Sequence, residues 1–146
     1  MDTDLVLLAA SDAHEADRIA DALIGTGAFA FIFARDATSA MSYAMTTEPS
    51  LVIVALDGPD GPRLARDLRA AKPERDTRVV LVIDRREFPG ARDAGANALV
   101  LRPAAAVLVA VEALETLRRD ERRSLQSGDR RQAFRGGRRA TDINLG

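Results

Sequence analysis

The sequence predicts a doubly wound α/β domain, a five-stranded parallel sheet with helices on both faces, followed by an arginine-rich tail. Three observations carry that reading. Five short, continuous apolar runs lie between residues 5 and 101 and are rich in β-branched or aromatic residues, as expected of strands covered on both faces. Stretches with apolar residues at helical spacing alternate with them, and alternating β/α units of this size fold as a parallel sheet with right-handed crossovers. After "RRDERRSLQS" the apolar period stops and Ser, Gly, Arg and Asp dominate, a composition too polar to offset its own ordering entropy.

Taken in order, the first strand is Leu5–Ala10 (LVLLAA). Ala16, Ile19, Ala20, Leu23 and Ile24 then mark a helix, with Asp12 and Glu15 spaced as a capping box. The second strand is Phe29–Ala34 (FAFIFA), and Ala37, Ala40, Met41, Ala44 and Met45 form the stripe of the next helix. Met41 and Met45 read as adaptable core filler. The third strand, Leu51–Leu56, leads to a helix on Leu64, Leu68 and Ala71. The fourth is Val79–Ile83, and "RREFPGARDAG" after it reads as a short helix broken near Pro89. The fifth is Ala98–Leu101; Val107, Ala110, Val111, Leu114 and Leu117 then set the face of a last helix that continues into "RRDERR". The expected division is a domain over residues 1–123 and a tail over 124–146, disordered without ligand.

With 146 residues the chain has room for one domain with a full core. It has no cysteine, which rules out disulfides, thiolate metal sites and a cysteine nucleophile and suits a cytoplasmic location. The start, "MDTDLVLLAASD", is acidic with a short apolar run, neither a signal peptide nor a membrane span. His14, the single histidine, has no nucleophile motif around it and reads as a surface residue at a helix start. The net charge of −1 hides a split: residues 1–117 carry 12 Lys+Arg against 18 Asp+Glu, and residues 118–146 carry 9 against 4. An acidic body with a basic tail points to an anionic partner for the tail.

Two segments, "PSLVIVALDGPDGPRLARDLRA" and "GANALVLRPA", resemble the third strand, active-site loop and third helix, and the fifth strand, of the CheY-like receiver domain of two-component signalling, over about residues 4–120. In that family Arg102-Pro103 falls where a Lys-Pro with a cis peptide bond usually stands. The resemblance implies a phosphorylation site at the strand ends, and this chain departs from it position by position. The acidic pair falls on Ala9 and Ala10, the phosphoacceptor on Ala55, the Thr/Ser on Ile83, the Lys on Arg102 and the aromatic switch on Leu99. The loop from Ala55 to Asp60 is about two residues shorter than usual. Without carboxylates there is no hard-oxygen cage for Mg²⁺ and no nucleophile for phosphoryl transfer. Asp57, Asp12 and Asp84 are the acids that a relocated site would use. The expectation is a non-enzymatic pseudoreceiver with no metal and no cofactor, whose input is not phosphate.

The tail segment "SGDRRQAFRGGRRATD" groups its arginines as Arg130-Arg131, Arg135 and Arg138-Arg139 around the bend allowed by Gly136-Gly137, with Asp129 and Asp142 on its flanks. Guanine offers O6 and N7 to a bidentate arginine, its N1–H and N2–H₂ edge to a carboxylate, and its face to a stacked ring or guanidinium. Cyclic di-GMP, alone or as an intercalated dimer, presents those groups in a compact anion. The segment is similar to the C-terminal arginine-rich segment of the CheY-like cyclic di-GMP effectors, and that match covers essentially the whole chain. The resemblance implies that the five arginines make guanine and phosphate contacts, with Asp129 and Asp142 as base-edge acceptors. Phe134 either stacks on a base or docks the folded tail onto the body. The PilZ-type signature also begins RxxxR, as Arg131 and Arg135 do, but its acidic-x-Ser-x-x-Gly half is missing here. By the same resemblance the partner is the flagellar motor switch, reached through the fourth helix, fifth strand and fifth helix, with recruitment to a flagellated cell pole and control of motility or attachment. The alternative is a receiver-like interaction module whose basic tail binds nucleic acid or another anion; the flanking aspartates and the shortness of the cluster weigh against nucleic acid.

Overall fold

A computed structural model describes residues 4–27, 29–71, 77–91, 93–103 and 105–118. The elements alternate as read: β1 (Asp4–Ala10), α1 (Ala13–Ile24), β2 (Phe29–Ala34), α2 (Ala37–Thr47), β3 (Leu51–Ala55), α3 (Asp60–Ala71), β4 (Arg78–Ile83), a 3₁₀ turn (Arg85–Glu87) running into α4 (Phe88–Ala91), and β5 (Ala98–Leu101). A last helix, α5, covers residues 106–118. All four ladders are parallel and the sheet order is β2-β1-β3-β4-β5. The direction of travel reverses between β1 and β3, and in such sheets the crevice at the carboxyl ends of those strands is where ligands bind.

The continuous apolar runs follow from burial on both faces. Every residue of β3 and β4 is buried, so neither strand has a solvent side on which polar residues could alternate. On one face Leu7, Val52, Val54, Val79, Leu81 and Ile83 pack with Ala40 and Ala44 of α2 and Leu64, Ala65 and Leu68 of α3. Their neighbours Val6, Leu8, Ile53, Val80 and Val82 point the other way and are equally buried, and α1 buries Ala16, Ile19, Ala20 and Leu23.

Helix starts are set by capping aspartates. Asp12 accepts a hydrogen bond from the His14 amide, and Asp36 from the Ser39 amide and hydroxyl, filling donors that a first turn leaves without partners. The Ser39 bonds hold the Asp36 carboxyl below its ordinary range. Glu15 does not complete the expected capping box, because its carboxylate reaches Arg102 instead. Ile24 and Ala71, assigned to apolar stripes, are exposed at their helix ends. Pro89 does not break its helix: it sits in the first turn of α4, where a missing N–H costs nothing. In α5 the buried face is Val109, Ala110, Ala113 and Thr116, whereas Val107 and Val111 are exposed. Every position from 104 to 111 is apolar, so periodicity alone cannot set the phase.

At the amino ends of β4 and β5 a second device aligns the strands. Asn97 binds Val79 twice, through its amide N–H to the Val79 carbonyl and its Oδ1 to the Val79 N–H. Arg69, at the end of α3, donates to the carbonyls of Gly95 and Thr77 and to Asn97 Oδ1. Burial pulls the Arg69 guanidinium below its ordinary value. Gly95 has φ +87°, and a Cβ there would stand 2.9 Å from Arg69 Cγ. Gly58 has φ +65° with open space where a Cβ would go. Gly58→Ala therefore costs backbone strain alone, about 1–2 kcal/mol. Gly95→Ala adds displacement of Arg69 and costs at least about 1 kcal/mol more; urea denaturation of the two variants checks the difference.

Candidate functional site

The carboxyl ends of β1, β3, β4 and β5 bring together the residues singled out in the sequence. Ala10 faces Ala55 across the β1–β3 ladder, and Ile83 faces Leu101 across β4–β5. Ala9, Ala10, Ala55 and Ile83 are all buried. Arg102 follows β5 directly; its amide donates to the Ile83 carbonyl at 2.8 Å, adding one bond to the ladder. The Arg102-Pro103 bond is cis. Leu99 is partly buried against the apolar core.

Arg102 lays its guanidinium across the end of β3. Nη2 donates to the Ala55 carbonyl at 2.8 Å and to Glu15 Oε1 at 2.9 Å, while Nε donates to Glu15 Oε2 at 3.2 Å. This is the two-point fork that arginine makes with a carboxylate and lysine cannot. Both side chains are largely covered, with 16% and 19% of their surface exposed, so solvent screens the pair only in part. Asp57 and Asp84 stand farther from Nη1, at 3.5 and 3.8 Å, and are themselves 74% and 41% exposed. Burial works against the charge on Arg102, but the Glu15 hydrogen bonds and charge, with Asp57 and Asp84 behind them, outweigh it and hold the guanidinium more firmly protonated than usual.

Each acid reaches this point from a different element: Glu15 from the first turn of α1, Asp57 from the loop after β3, Asp84 from the loop after β4. The Asp57 amide donates to Ser11 Oγ at 3.0 Å, joining the loops after β3 and β1. Asp12 stays at its cap and His14 is exposed beside it. Among the described residues no group of three or more His, Cys, Asp or Glu side chains is placed to hold a metal ion. Glu15 is the site residue that sequence reasoning missed. Its helix-start position explained it well enough as a cap, although an arginine buried at a strand end needs a carboxylate within reach.

The tail residues Asp129, Arg130, Arg131, Phe134, Arg135, Gly136, Gly137, Arg138, Arg139 and Asp142 lie outside the described residues. The chain divides into a compact unit over Met1–Thr116 and a second over Leu117–Gly146.

With this geometry in view, the fold is that of signal receiver domains. No family model matches the chain, and no curated protein matches it; solved structures do. A CheY-like response regulator receiver domain protein from Methanospirillum hungatei is similar over 84% of this chain and 99% of its own, with a TM-score of 0.72 at 16% identity. The receiver domain of the putative response regulator NarL from Mycobacterium tuberculosis is similar over 79% of this chain and 96% of its own (TM-score 0.66, 20% identity). The receiver domain of an HD domain-containing protein from Pseudomonas fluorescens covers 78% and 96% (TM-score 0.63, 26% identity). Among the described residues no helix is long and apolar enough to cross a membrane.

The site divides into one strong contact and two weak ones. Glu15→Ala leaves a largely covered guanidinium without its fork and should cost about 2 kcal/mol. Asp57→Ala and Asp84→Ala should each cost under about 0.5 kcal/mol, as exposed pairs do. Arg102→Lys keeps the charge but should recover less than half of what Arg102→Ala loses. Urea midpoints of these variants, at low and high salt, read the ranking directly.

Proposed function

We propose that this chain is a non-enzymatic effector in which a receiver fold that has given up phosphorylation is controlled by cyclic di-GMP bound to its arginine-rich tail. One juxtaposition carries the reading. Ala9, Ala10 and Ala55 end β1 and β3, where the resemblance to receivers would put the acids of a phosphorylation site, and the same chain carries Arg130, Arg131, Arg135, Arg138 and Arg139 between two aspartates. An alanine methyl cannot accept a phosphoryl group, and at these strand ends Arg102 is already paired with Glu15. The input then has to arrive by another route, and the tail has the donors, acceptors and bend that guanine and phosphate call for.

The output side of the proposal is a docking surface on α4, β5 and α5. Phe88, Leu101, Val107, Leu108 and Val111 on these elements are exposed, although water-facing positions of a soluble domain are usually polar. A protein partner with an apolar face fits them, and the resemblance of the tail to cyclic di-GMP effectors makes the flagellar motor switch the first partner to test. The second reading, a generic basic tail that binds nucleic acid, rests on the same arginines and differs in its salt dependence.

Calorimetric titration of the full chain with cyclic di-GMP, with GTP and cyclic di-AMP as controls, tests the proposal. Binding selective for cyclic di-GMP is expected, and at least two of the five Arg→Lys variants should weaken it tenfold or more, about 1.4 kcal/mol each. Asp129→Asn or Asp142→Asn should weaken it too, although each makes the tail more positive. Normal binding by all five lysine variants, with tighter binding by both Asn variants, identifies a simple anion trap. Incubation with acetyl phosphate and Mg²⁺ should add no phosphoryl mass; a phosphate mapped to Asp57 overturns the phosphate-independent part.

A further inference from the structure

β2 is an edge of the sheet, and its sequence is poorly suited to standing there alone. Phe29–Ala34 (FAFIFA) carries no charge and no proline, the devices by which edge strands usually avoid pairing with another chain. On one side it ladders with β1, from Asp4↔Phe29 to Ala9↔Ala34. Among the described residues no strand meets the backbone groups on its other side. Phe29, Phe31 and Phe33 project from a single face, with ring centroids 6.3 and 6.1 Å apart. α1 packs against β1 and β2 on that face yet leaves the row partly uncovered: Phe33 is 48% exposed, and Ile24 at the end of α1 is 56% exposed.

An aromatic row beside an open backbone edge fits an added strand, and the residue pattern says which one. Phe-x-Phe-x-Phe centred on Phe31 is the same in either direction. An antiparallel two-fold through Phe31 therefore sets Phe31 against its own copy, Phe29 against Phe33 and Ala30 against Ile32, with all the phenylalanines on one face. Aromatic cross-strand pairs are among the favourable ones, and an isologous two-fold contact is the commonest way that identical chains close. The flanking charges agree with this register: Arg35 falls opposite Gly27 and Asp36 opposite Thr26, so no like charges meet. A six-residue ladder is about 20 Å long and with its side chains buries on the order of 1,000 Å², the lower bound of a specific interface. The resulting dimer is reversible and concentration-dependent.

We propose that two copies of this chain join through their β2 edges, antiparallel, with Phe31 on the two-fold axis, to make one continuous sheet. The proposal does not depend on what the tail binds.

Sedimentation equilibrium of the full chain from about 1 µM to about 1 mM should show the mass rising from one chain to two. Phe33→Lys puts a gatekeeping charge at a half-exposed position; it should keep the parent circular dichroism and raise the dimer dissociation constant tenfold or more. Because the chain has no cysteine, register can be read by cross-linking. Facing residues of an antiparallel pair stand about 4.5–5.5 Å apart at Cα, within disulfide reach. Phe31→Cys should oxidise to a homodimer, and a mixture of Phe29→Cys and Phe33→Cys to a mixed disulfide. A chain that stays monomeric over the whole range overturns the proposal, and that is also the result expected if the tail or an unrelated strand covers the edge. Dimerisation unchanged in Phe33→Lys, or cross-links that ignore this register, overturns it equally.

Discussion

The carboxyl end of the sheet is closed by one guanidinium. Arg102 extends from β5 across β3 to the first turn of α1, donating to the Ala55 carbonyl and to both oxygens of Glu15. A parallel sheet gathers its strand ends on one side, so whatever stands there touches several elements at once. Arg102 uses that position to tie three of them, while Ser11 and Asp57 join the loops on either side. The local structure of α1 is adjusted to this contact: Asp12 caps the helix alone, and Glu15 is freed to face the arginine.

At the opposite end Arg69 does comparable work with different chemistry. Its acceptors are two backbone carbonyls and the Asn97 side chain, neutral groups that solvate a guanidinium without cancelling its charge. Burial accordingly lowers its proton affinity, whereas Glu15 and the acids behind it raise that of Arg102. A neutral cradle needs several acceptors aimed at one point, which is why Gly95, in a left-handed conformation that brings its carbonyl and α-carbon against Arg69, has no room for a side chain.

The strand runs were legible because burial on both faces leaves a continuous apolar signal, and all five strands fall within a residue of where that signal puts them. Ala10 and Ala55 end their strands and Arg102 follows the last one, because the apolar runs mark where each strand stops. What the sequence hid has a common cause. The phase of α5 was concealed because nearly all its early residues are apolar, so no polar face marked the outside. Glu15 was concealed because a carboxylate at the third helical position satisfies a local rule as well as a distant partner, and only the fold shows that Arg102 lies within 3 Å of it. Pro89 marks a start or a stop depending on whether it opens the first turn, and a 3₁₀ turn before it decides for a start.

Alanines at the strand ends set the energetics of this end of the sheet as well as its chemistry. A cluster of carboxylates in a crevice repels itself and stores free energy that a metal or a phosphoryl group can release, and a two-state switch needs such a reserve. Here Ala9, Ala10 and Ala55 bury methyl groups, and Arg102 is already paired with Glu15. Buried methyl groups and a paired guanidinium hold no such reserve of like charge, and the apolar burial stabilises this end of the sheet. Exposed apolar side chains stand outside that core: Phe88 on α4, Leu101 on β5, Val107, Leu108 and Val111 on α5, and Phe33 on β2 at the other side of the sheet. An interior tied at the strand ends leaves the apolar side chains at the two sheet edges as the places where covering further surface would be most favourable.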